Sequence, residues 1–159
     1  MKAKRLVVYC RSLDMCANLY AHFHLTLGEN SYYPTGSPKL SDYRLFGMFH
    51  SKTPQHNKDV IIASLTKNDG AVPVVVATMA LGMGFDCVGL TQTIHYGAPR
   101  SIDDYFQESG RGGEPSTSTI YWCPSEVPQR KDNDHKTIEV ATVRRYVKNT
   151  EIFSATVSL

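Results

Sequence analysis

The sequence predicts an α/β fold, with a largely parallel, doubly wound sheet and helices on both of its faces. Short apolar runs rich in β-branched residues alternate along the chain with stretches of helical periodicity, the order typical of βα units. One of these runs, Val74 to Val76, is continuously apolar, as expected for a strand that is buried on both faces. The 159 residues are enough for one domain with a substantial core.

The first βα unit is predicted at the start of the chain. Arg5 to Cys10 is apolar enough to form a buried strand, apart from its first residue. Ser12 is predicted to cap the helix that follows, and Gly28 is predicted to end it. Two short strands are then predicted, at Ser31 to Pro34 and at Leu45 to Phe49.

A second helix is predicted to start at Thr53 and Pro54. Thr is a favoured capping residue, and Pro is favoured at the first helical position. The residues at helical spacing that would form the buried face of this helix are Val60, Ile61, Ser64 and Leu65.

The central strand is predicted to lead into a ligand-binding loop. After Val74 to Ala77 the chain carries Gly82 and Gly84, reaches Asp86, and continues into a second apolar run at Thr91 to Tyr96. Ligands of open parallel sheets gather beyond the carboxyl ends of the strands, where glycine lets them approach the backbone closely. A carboxylate in such a loop can accept hydrogen bonds from ribose hydroxyls. Taken alone, two glycines in a loop are more often a simple turn.

A third helix is predicted after this second run. Ser101 and Asp104 form a capping pattern at its start, and Arg111 leaves its end. The guanidinium of Arg presents a planar set of donors that matches phosphate oxygens, although a single Arg is more often a solvated surface residue. A last strand is predicted at Ser118 to Cys123. The residues expected to share the buried face of the third helix are Ile102, Tyr105, Phe106 and Ser109.

Composition excludes several classes of protein without identifying one. The formal net charge is +2 and the pI about 8.3, which is compatible with nucleic-acid binding but does not indicate it. No apolar run approaches the ~18 residues of a membrane span, so no membrane partner is expected. The four cysteines form no C-x-x-C pair, so buried reduced thiols are expected, with no metal site and no zinc.

Two long motifs resemble those of a known family. A-T-M-A-L-G-M-G-F-D at residues 77–86 and Q-E-S-G-R-G-G at residues 107–113 resemble motifs V and VI of RecQ-family DNA helicases. The segment around Cys10 to Ser12 resembles motif IV. The resemblance implies the second RecA-like lobe of a superfamily 2 helicase. Gln107, where RNA helicases of the DEAD-box type usually carry His, favours the RecQ branch over the alternative of an RNA helicase lobe.

The same resemblance implies a domain organisation. Residues 1–130 would form the helicase C-terminal lobe, and residues 131–159 the start of a truncated RecQ-type zinc-binding helical subdomain. The stretch from Thr137 to Asn149, which shows helical spacing, would be the opening helix of that subdomain.

The resemblance also implies cofactors, partners and residue roles. ATP with Mg²⁺ would lie in a cleft shared with an N-terminal RecA-like lobe that carries a P-loop, supplied in cis or in trans. The DNA would be single-stranded or partly unwound, and the location nuclear. Arg111 and Gln107 would act in catalysis. The expected nucleotide-binding residues are Gly82, Gly84, Asp86, Gln107 and Arg111. The expected contacts to the DNA backbone are Ser12, Ser51, Lys52, Thr53 and Thr78.

The sequence departs from the family pattern in three ways, and one of them, Glu114, supports a second hypothesis together with the absence of the family's zinc-binding cysteines and the abrupt tail. The chain has no G-x-x-x-x-G-K-[ST] phosphate loop and no D-E-x-H-type motif, and Glu114 stands where motif VI usually has a second Arg. The primary prediction is the C-terminal motor lobe of a RecQ-like ATP-dependent DNA helicase. The alternative is a non-catalytic module, an orphan or truncated lobe that binds single-stranded nucleic acid or a partner.

Overall fold

The computed structural model describes residues 4–82, 86–111 and 116–121, together with the backbone of residues 154–158. The strands are β1 (Arg5–Cys10), β2 (Phe46–Phe49), β3 (Val74–Ala77), β4 (Leu90–Tyr96), β5 (Thr117–Tyr121) and β6 (Ser154–Ser158). The α-helices are α1 (Leu13–Leu27), α2 (Gln55–Thr66) and α3 (Ile102–Ser109). Short 3₁₀ turns occupy Gly28–Ser31, Ser41–Tyr43 and Met79–Gly82.

The strands form one sheet in the order β2-β3-β1-β4-β5-β6. The first five of these are parallel, which confirms the predicted α/β fold with a largely parallel sheet. Strand β6 pairs antiparallel with β5, a pairing that the sequence analysis did not predict. The proposed division at residue 130 stays a prediction, and the helix predicted at residues 137–149 lies outside the described residues.

Helices cover both faces of the sheet. On one face, α1 packs on a core that includes Val8, Cys10 and Val76. On the other face, α2 and the connection from β3 to β4 enclose a larger core that includes Val7 and Val75. The alternation of neighbouring β1 residues between these two cores explains why the run had to be apolar throughout.

The strand predicted at Ser31 to Pro34 is wrong. Gly28–Ser31 is a 3₁₀ turn, and Tyr32 makes only an isolated antiparallel bridge with Arg44. The N–H of Tyr33 still donates to the carbonyl of Tyr43 at 2.8 Å. Pro34 follows directly and has no N–H to donate, so this pairing cannot extend into a ladder.

The start of α2 also differs from the prediction. The helix begins at Gln55 with Pro54 in the cap position, and no side chain caps it, so Thr53 is not the N-cap. The Thr53 hydroxyl is instead engaged within the preceding turn. Three of the four residues predicted for the inner face are buried and Val60 is half-buried; the buried ones are Ile61, Ser64 and Leu65.

The other two helix starts are as predicted. The Ser12 hydroxyl accepts from the N–H of Met15 at 3.1 Å, and Gly28 ends α1. The Ser101 hydroxyl accepts from the N–H of Asp104, also at 3.1 Å. Each bond satisfies one of the unpaired donors of a first helical turn.

The inner face of α3 is rotated from the predicted one. Tyr105 and Ser109 are buried as expected, but Phe106 is 47% exposed. Glu108, which is only 7% exposed, takes the inner position. Positions 105, 108 and 109 are spaced i, i+3 and i+4, so they still form one helical stripe, and a carboxyl group lies within it.

A buried arginine closes the amino-terminal edge of the sheet. Arg5 is 1% exposed, and its guanidinium donates to the carbonyls of Leu65, Lys67 and Val88. Since Leu65 and Lys67 end α2 and Val88 precedes β4, this one side chain joins both segments to β1. It satisfies carbonyls that would otherwise lie unpaired at a buried helix end.

No described helix is both long enough and apolar enough to cross a membrane.

Candidate functional site

The residues predicted to contact DNA gather at one edge of the sheet. The carboxyl ends of β1, β2, β3 and β4 all lie at this edge, because these strands are parallel. The segment after β2 holds residues 50–53, the segment after β3 holds residues 78–82, and Ser12 follows β1 closely. In open parallel sheets this is the edge at which ligands bind.

Of the residues predicted to bind a nucleotide, Arg111 and Asp86 both contribute charge to the surroundings of one buried thiol, that of Cys87. Burial raises the pKa of Cys87; the charges of Arg111 and Arg5 oppose this rise, and the charge of Asp86 adds to it. Asp86 is exposed and Arg111 is partly exposed, as contact with a ligand requires.

The other predicted nucleotide-binding residues differ in how they are placed. Gln107 is exposed on the outer side of α3, one turn before Arg111. Gly82 ends the 3₁₀ turn that follows β3. Gly84 and the Glu114 substitution lie outside the described residues.

On the nucleic-acid side, the residue 50–53 turn is held in shape by Thr53. Its hydroxyl accepts from the N–H of His50 at 3.0 Å and donates to the carbonyl of Met48 at 3.1 Å, and Thr53 is 7% exposed. The sequence analysis placed Thr53 against DNA, whereas both of these bonds are internal. They leave Ser51 and Lys52 exposed at the tip of the turn.

Positive charge surrounds this tip. The ammonium group of Lys58 donates to the carbonyl of Ser51 at 3.0 Å, so it lies beside Lys52. Burial lowers the pKa of His50, and the charges of Lys58 and Lys52 lower it further. The N–H of Lys52 donates to Nδ1 of His50 at 3.1 Å, which keeps that nitrogen in its unprotonated form. The turn thus offers two ammonium groups and a neutral imidazole.

Thr78 adjoins this turn directly. Its N–H donates to the carbonyl of Phe49, the last residue of β2, at 3.1 Å. Ser12 is exposed at the end of β1, on the other side of β3. Because β2, β3 and β1 are neighbours in the sheet, the predicted contacts to DNA form a continuous row along its edge.

One buried polar pair escaped the sequence analysis. His95 on β4 is 1% exposed, and its Nε2 lies 3.6 Å from Oε2 of Glu108 on α3. The imidazole is also enclosed by two aromatic rings in edge-on contact, those of Tyr9 at 5.4 Å and Tyr105 at 4.9 Å between centroids. His95 lies on the same face of β4 as buried Thr93, because alternate residues of a strand share a face. A polar residue two positions from another in a predicted strand was therefore the sign that the sequence offered.

Burial moves the pKa values of this pair in opposite directions. It lowers the pKa of His95 to about 4. It raises that of Glu108 to about 7; Asp104 adds to this rise, while Arg111 and Arg100 oppose it. Near neutral pH the imidazole is therefore uncharged, and the carboxyl group is close to half-protonated.

The described residues contain no group of three or more His, Cys, Asp or Glu side chains placed to hold a metal ion. The cationic side chains at the sheet edge fit phosphate oxygens instead.

Five parallel strands in this order, with Arg111 following the helix α3, are typical of a RecA-like lobe. The family described as "Helicase conserved C-terminal domain" matches residues 2–115, and the chain belongs to this family.

Two relatives place the chain within the helicases. It is 37% identical over 78 residues to "ATP-dependent helicase wrn-1" of Caenorhabditis elegans, a match that covers 41% of this chain and 7% of that protein. It is 36% identical over 81 residues to "ATP-dependent DNA helicase RecQ" of Haemophilus influenzae, covering 41% of this chain and 13% of the relative. The chain thus spans a small part of each. The resemblance to a RecQ-like helicase C-terminal lobe is confirmed.

Solved structures agree on the fold. The helicase Lhr of Mycobacterium smegmatis, determined with ssDNA and AMP-PNP, superposes with a TM-score of 0.63 at 20% identity. The match covers 94% of this chain and 18% of that one. At this identity the likeness shows a shared fold, and it confirms the predicted RecA-like architecture.

Proposed function

We propose that the chain is the C-terminal motor lobe of a RecQ-like ATP-dependent DNA helicase. It would contribute half of the ATP cleft and a set of contacts to the backbone of single-stranded or partly unwound DNA. The observation that carries this proposal is the arrangement at the sheet edge. An exposed basic turn follows β2, beside Thr78 at the end of β3, and the charges of Arg111 and Asp86 both act on the pKa of buried Cys87. A lobe that carries the basic turn and Arg111 on the same sheet can couple a change at the nucleotide to a change at the DNA.

The residues present fit one side of an ATP molecule. Arg111 offers several N–H donors for phosphate oxygens, and exposed Asp86 can accept from ribose hydroxyls. Gln107 lies one turn before Arg111 on the exposed side of α3, where it can reach across a cleft. Mg²⁺ and the attacking water would be held by a P-loop lobe in cis or in trans, and ATP hydrolysis supplies the free energy for movement.

The proposed DNA contacts are independent of sequence. Three polar side chains follow the ends of β2 and β3: the hydroxyl group of Ser51, the ammonium group of Lys52 and the hydroxyl group of half-exposed Thr78. Hydroxyl and ammonium groups are common contacts to phosphate. Ser12 would extend this row at β1. Binding through phosphates weakens as salt rises, because counterions are released when the complex forms. Action on DNA in a eukaryotic cell would place the protein in the nucleus.

The proposal is tested in a complete motor. This chain would replace the matching segment of the Haemophilus influenzae RecQ relative, so that a P-loop lobe is present. We expect Arg111→Ala to abolish ATP-coupled unwinding while leaving single-stranded DNA binding largely intact. The matched control is Lys4→Ala, which removes an exposed positive charge at the opposite edge of the sheet. Unwinding by Arg111→Ala at the rate of the parent motor would remove the assignment of the ATP site.

The second candidate is a non-catalytic module that binds single-stranded nucleic acid or a partner. The presence of Glu114 where motif VI usually has an arginine favours it, because a carboxylate repels the γ-phosphate. Loss of such an arginine costs roughly 10³ to 10⁵ in rate in related phosphoryl-transfer systems. If the parent chimera binds DNA but hydrolyses no ATP, this second function stands. Binding of RNA in preference to DNA would favour an RNA helicase lobe instead.

A further inference from the structure

A cavity of about 250 Å³ lies along the outer edge of β2. Strand β2 is at one end of the sheet, so only one of its edges pairs with another described strand. The cavity opens beside the basic turn at residues 50–53, because His50, Lys52 and Thr53 all line it. Sites for drug-sized ligands occupy roughly 300–1,000 Å³, so this smaller cavity suits a single heterocyclic group.

The walls of the cavity are mostly apolar. Helix α1 contributes the ring of Tyr20, which packs edge-on against Phe46 at 5.1 Å between centroids. Strand β2 contributes Met48, and α2 contributes Val60 and Ile61. Aromatic and aliphatic walls of this kind fit the faces of a flat heterocycle.

The outer edge of β2 also brings polar backbone groups to this cavity. The carbonyl of Phe49 faces β3, because it accepts from the N–H of Thr78 at 3.1 Å. The backbone groups of successive strand residues point to opposite edges, so those of Phe46 and Met48 face outward. The Met48 carbonyl agrees with this direction, since it accepts from the hydroxyl of Thr53 at 3.1 Å. The N–H and the carbonyl of Phe46 thus form an adjacent donor and acceptor at the cavity wall.

Positive charge lines the cavity without an opposing carboxylate. Arg44 and Lys52 line it, and none of its described lining residues is acidic. The Arg44 guanidinium lies over the ring of Tyr20, 5.8 Å from the centroid, and its Nε is buried without a hydrogen-bond partner among the described residues. Asp42, on the adjoining 3₁₀ turn, lies 3.4 Å from His56 instead. The cavity therefore favours a ligand that carries negative charge.

An added peptide strand does not fit this edge. The N–H of Leu45 donates to the carbonyl of Ser31 at 2.8 Å, which closes one end, and the hydroxyl of Thr53 occupies the carbonyl of Met48 at the other. A strand added at a sheet edge needs a longer row of available backbone groups. A nucleobase needs only an adjacent donor and acceptor, because the Watson–Crick edge of every DNA base presents an acceptor beside a donor.

Resting on the DNA contacts proposed above, we propose that this cavity receives one base of a bound single strand, turned out of its stack. The base lies between Tyr20 and the apolar side chains of α2, and its Watson–Crick edge meets the N–H and the carbonyl of Phe46. Lys52 binds a neighbouring phosphate at the mouth of the cavity. Since each base offers the same pair of groups, the cavity accepts any base and keeps the binding independent of sequence.

The test compares the binding of two ligands by the chain itself. One is a short oligothymidylate, and the other is an abasic chain of the same length, which keeps the phosphates and sugars but has no bases. Val60→Phe fills the cavity from α2, and Ala63→Phe, which adds the same ring on the exposed side of that helix, is the matched control. We expect Val60→Phe to lower the affinity for oligothymidylate by about fivefold or more and to leave the affinity for the abasic chain unchanged. Ala63→Phe should bind both ligands as the parent chain does.

NMR of labelled methionine methyl groups gives a second readout. We expect oligothymidylate to shift the methyl signal of Met48, which lines the cavity, through the ring current of the base. The abasic chain should leave this signal in place. Asn57→Phe fills the cavity from another position of α2, and it replaces Val60→Phe if circular dichroism shows that the latter does not fold.

Each outcome decides one question. If the cavity-filling variant weakens the binding of both ligands alike, or of neither, no base enters the cavity and this inference is overturned. If Lys52→Ala leaves the binding of both ligands unchanged, the assignment of the basic turn to DNA falls, whatever Val60→Phe does. A parent chain that binds neither ligand overturns both proposals. An acidic peptide that shifts the Met48 signal more than oligothymidylate does identifies a peptide site and overturns the inference.

Discussion

The stability of this chain should depend on pH through Glu108. Burial raises the pKa of Glu108 from its usual 4.5 to about 7. Between these values the folded state holds a proton that the unfolded state has lost, so stability falls as pH rises through this window. A pKa difference of about 2.5 corresponds to roughly 3 kcal/mol, the penalty carried by the buried carboxylate above pH 7.

Glu108→Gln removes this penalty, because an amide does not ionise. The variant should gain roughly 3 kcal/mol relative to the parent chain between pH 4.5 and pH 8. His95 works in the opposite direction: its pKa is lowered from 6.5 to about 4, so its contribution to stability rises with pH in that range. The two effects overlap below pH 6.5, and comparing the variant with the parent chain isolates that of Glu108.

Urea unfolding at a series of pH values, followed by far-ultraviolet circular dichroism, gives the free energies of unfolding. Asp103→Asn is the control, since this exposed carboxyl group on the same helix should leave the pH profile nearly unchanged. Parallel profiles for Glu108→Gln and the parent chain would refute the reasoning, because they would mean that the carboxyl group titrates alike in the folded and unfolded states.

Three further predictions concern the edges of the sheet. Thr53→Val should lower the free energy of unfolding by roughly 1–3 kcal/mol, because it orphans a buried donor and acceptor; Thr53→Ser, which keeps the hydroxyl, should recover most of the loss in the same urea titration. Arg5→Met should lower the melting temperature measured by circular dichroism, because three carbonyls lose their donor, and Lys4→Met, with its exposed side chain, should not. Lys52→Ala should weaken binding of single-stranded DNA equally for all DNA sequences and reduce the salt slope of log K by about 1, as measured by fluorescence anisotropy at several salt concentrations. Lys67→Ala, at the opposite edge of the sheet, is the control, and an equal effect of Lys67→Ala would contradict the prediction.

Local patterns in the sequence were sufficient for most of the sheet. Continuous apolar runs indicate β1 and β3, because a strand buried on both faces needs apolar residues on each face, and therefore at successive positions. The caps at Ser12 and Ser101 were predictable because such bonds span only three residues. The strand wrongly predicted before Pro34 and the unpredicted strand β6 both depend on what pairs with them, and pairing is a long-range property.

The candidate site was predictable to the extent that its motifs are contiguous. Asp86 and Arg111 follow from long motifs, and the charges of both act on the pKa of buried Cys87. The contact between His95 and Glu108 was not predictable in the same way. This contact forms because the buried face of β4 packs against the buried face of α3. The predicted buried face of α3 included Phe106, whereas in the structure Glu108 is buried and Phe106 is exposed.

The connection between β3 and β4 offers a physical link between the two proposed functions. Thr78 and Asp86 stand eight positions apart on this connection. Its first end is fixed by the bond from the Thr78 N–H to the last residue of β2, and its far end by the Val88 N–H, which donates to the carbonyl of Leu65 at 2.8 Å. In the proposed motor, ribose contact at Asp86 and DNA contact at Thr78 would therefore act on one short segment anchored at both ends. Coupling would then need no large rearrangement of the sheet.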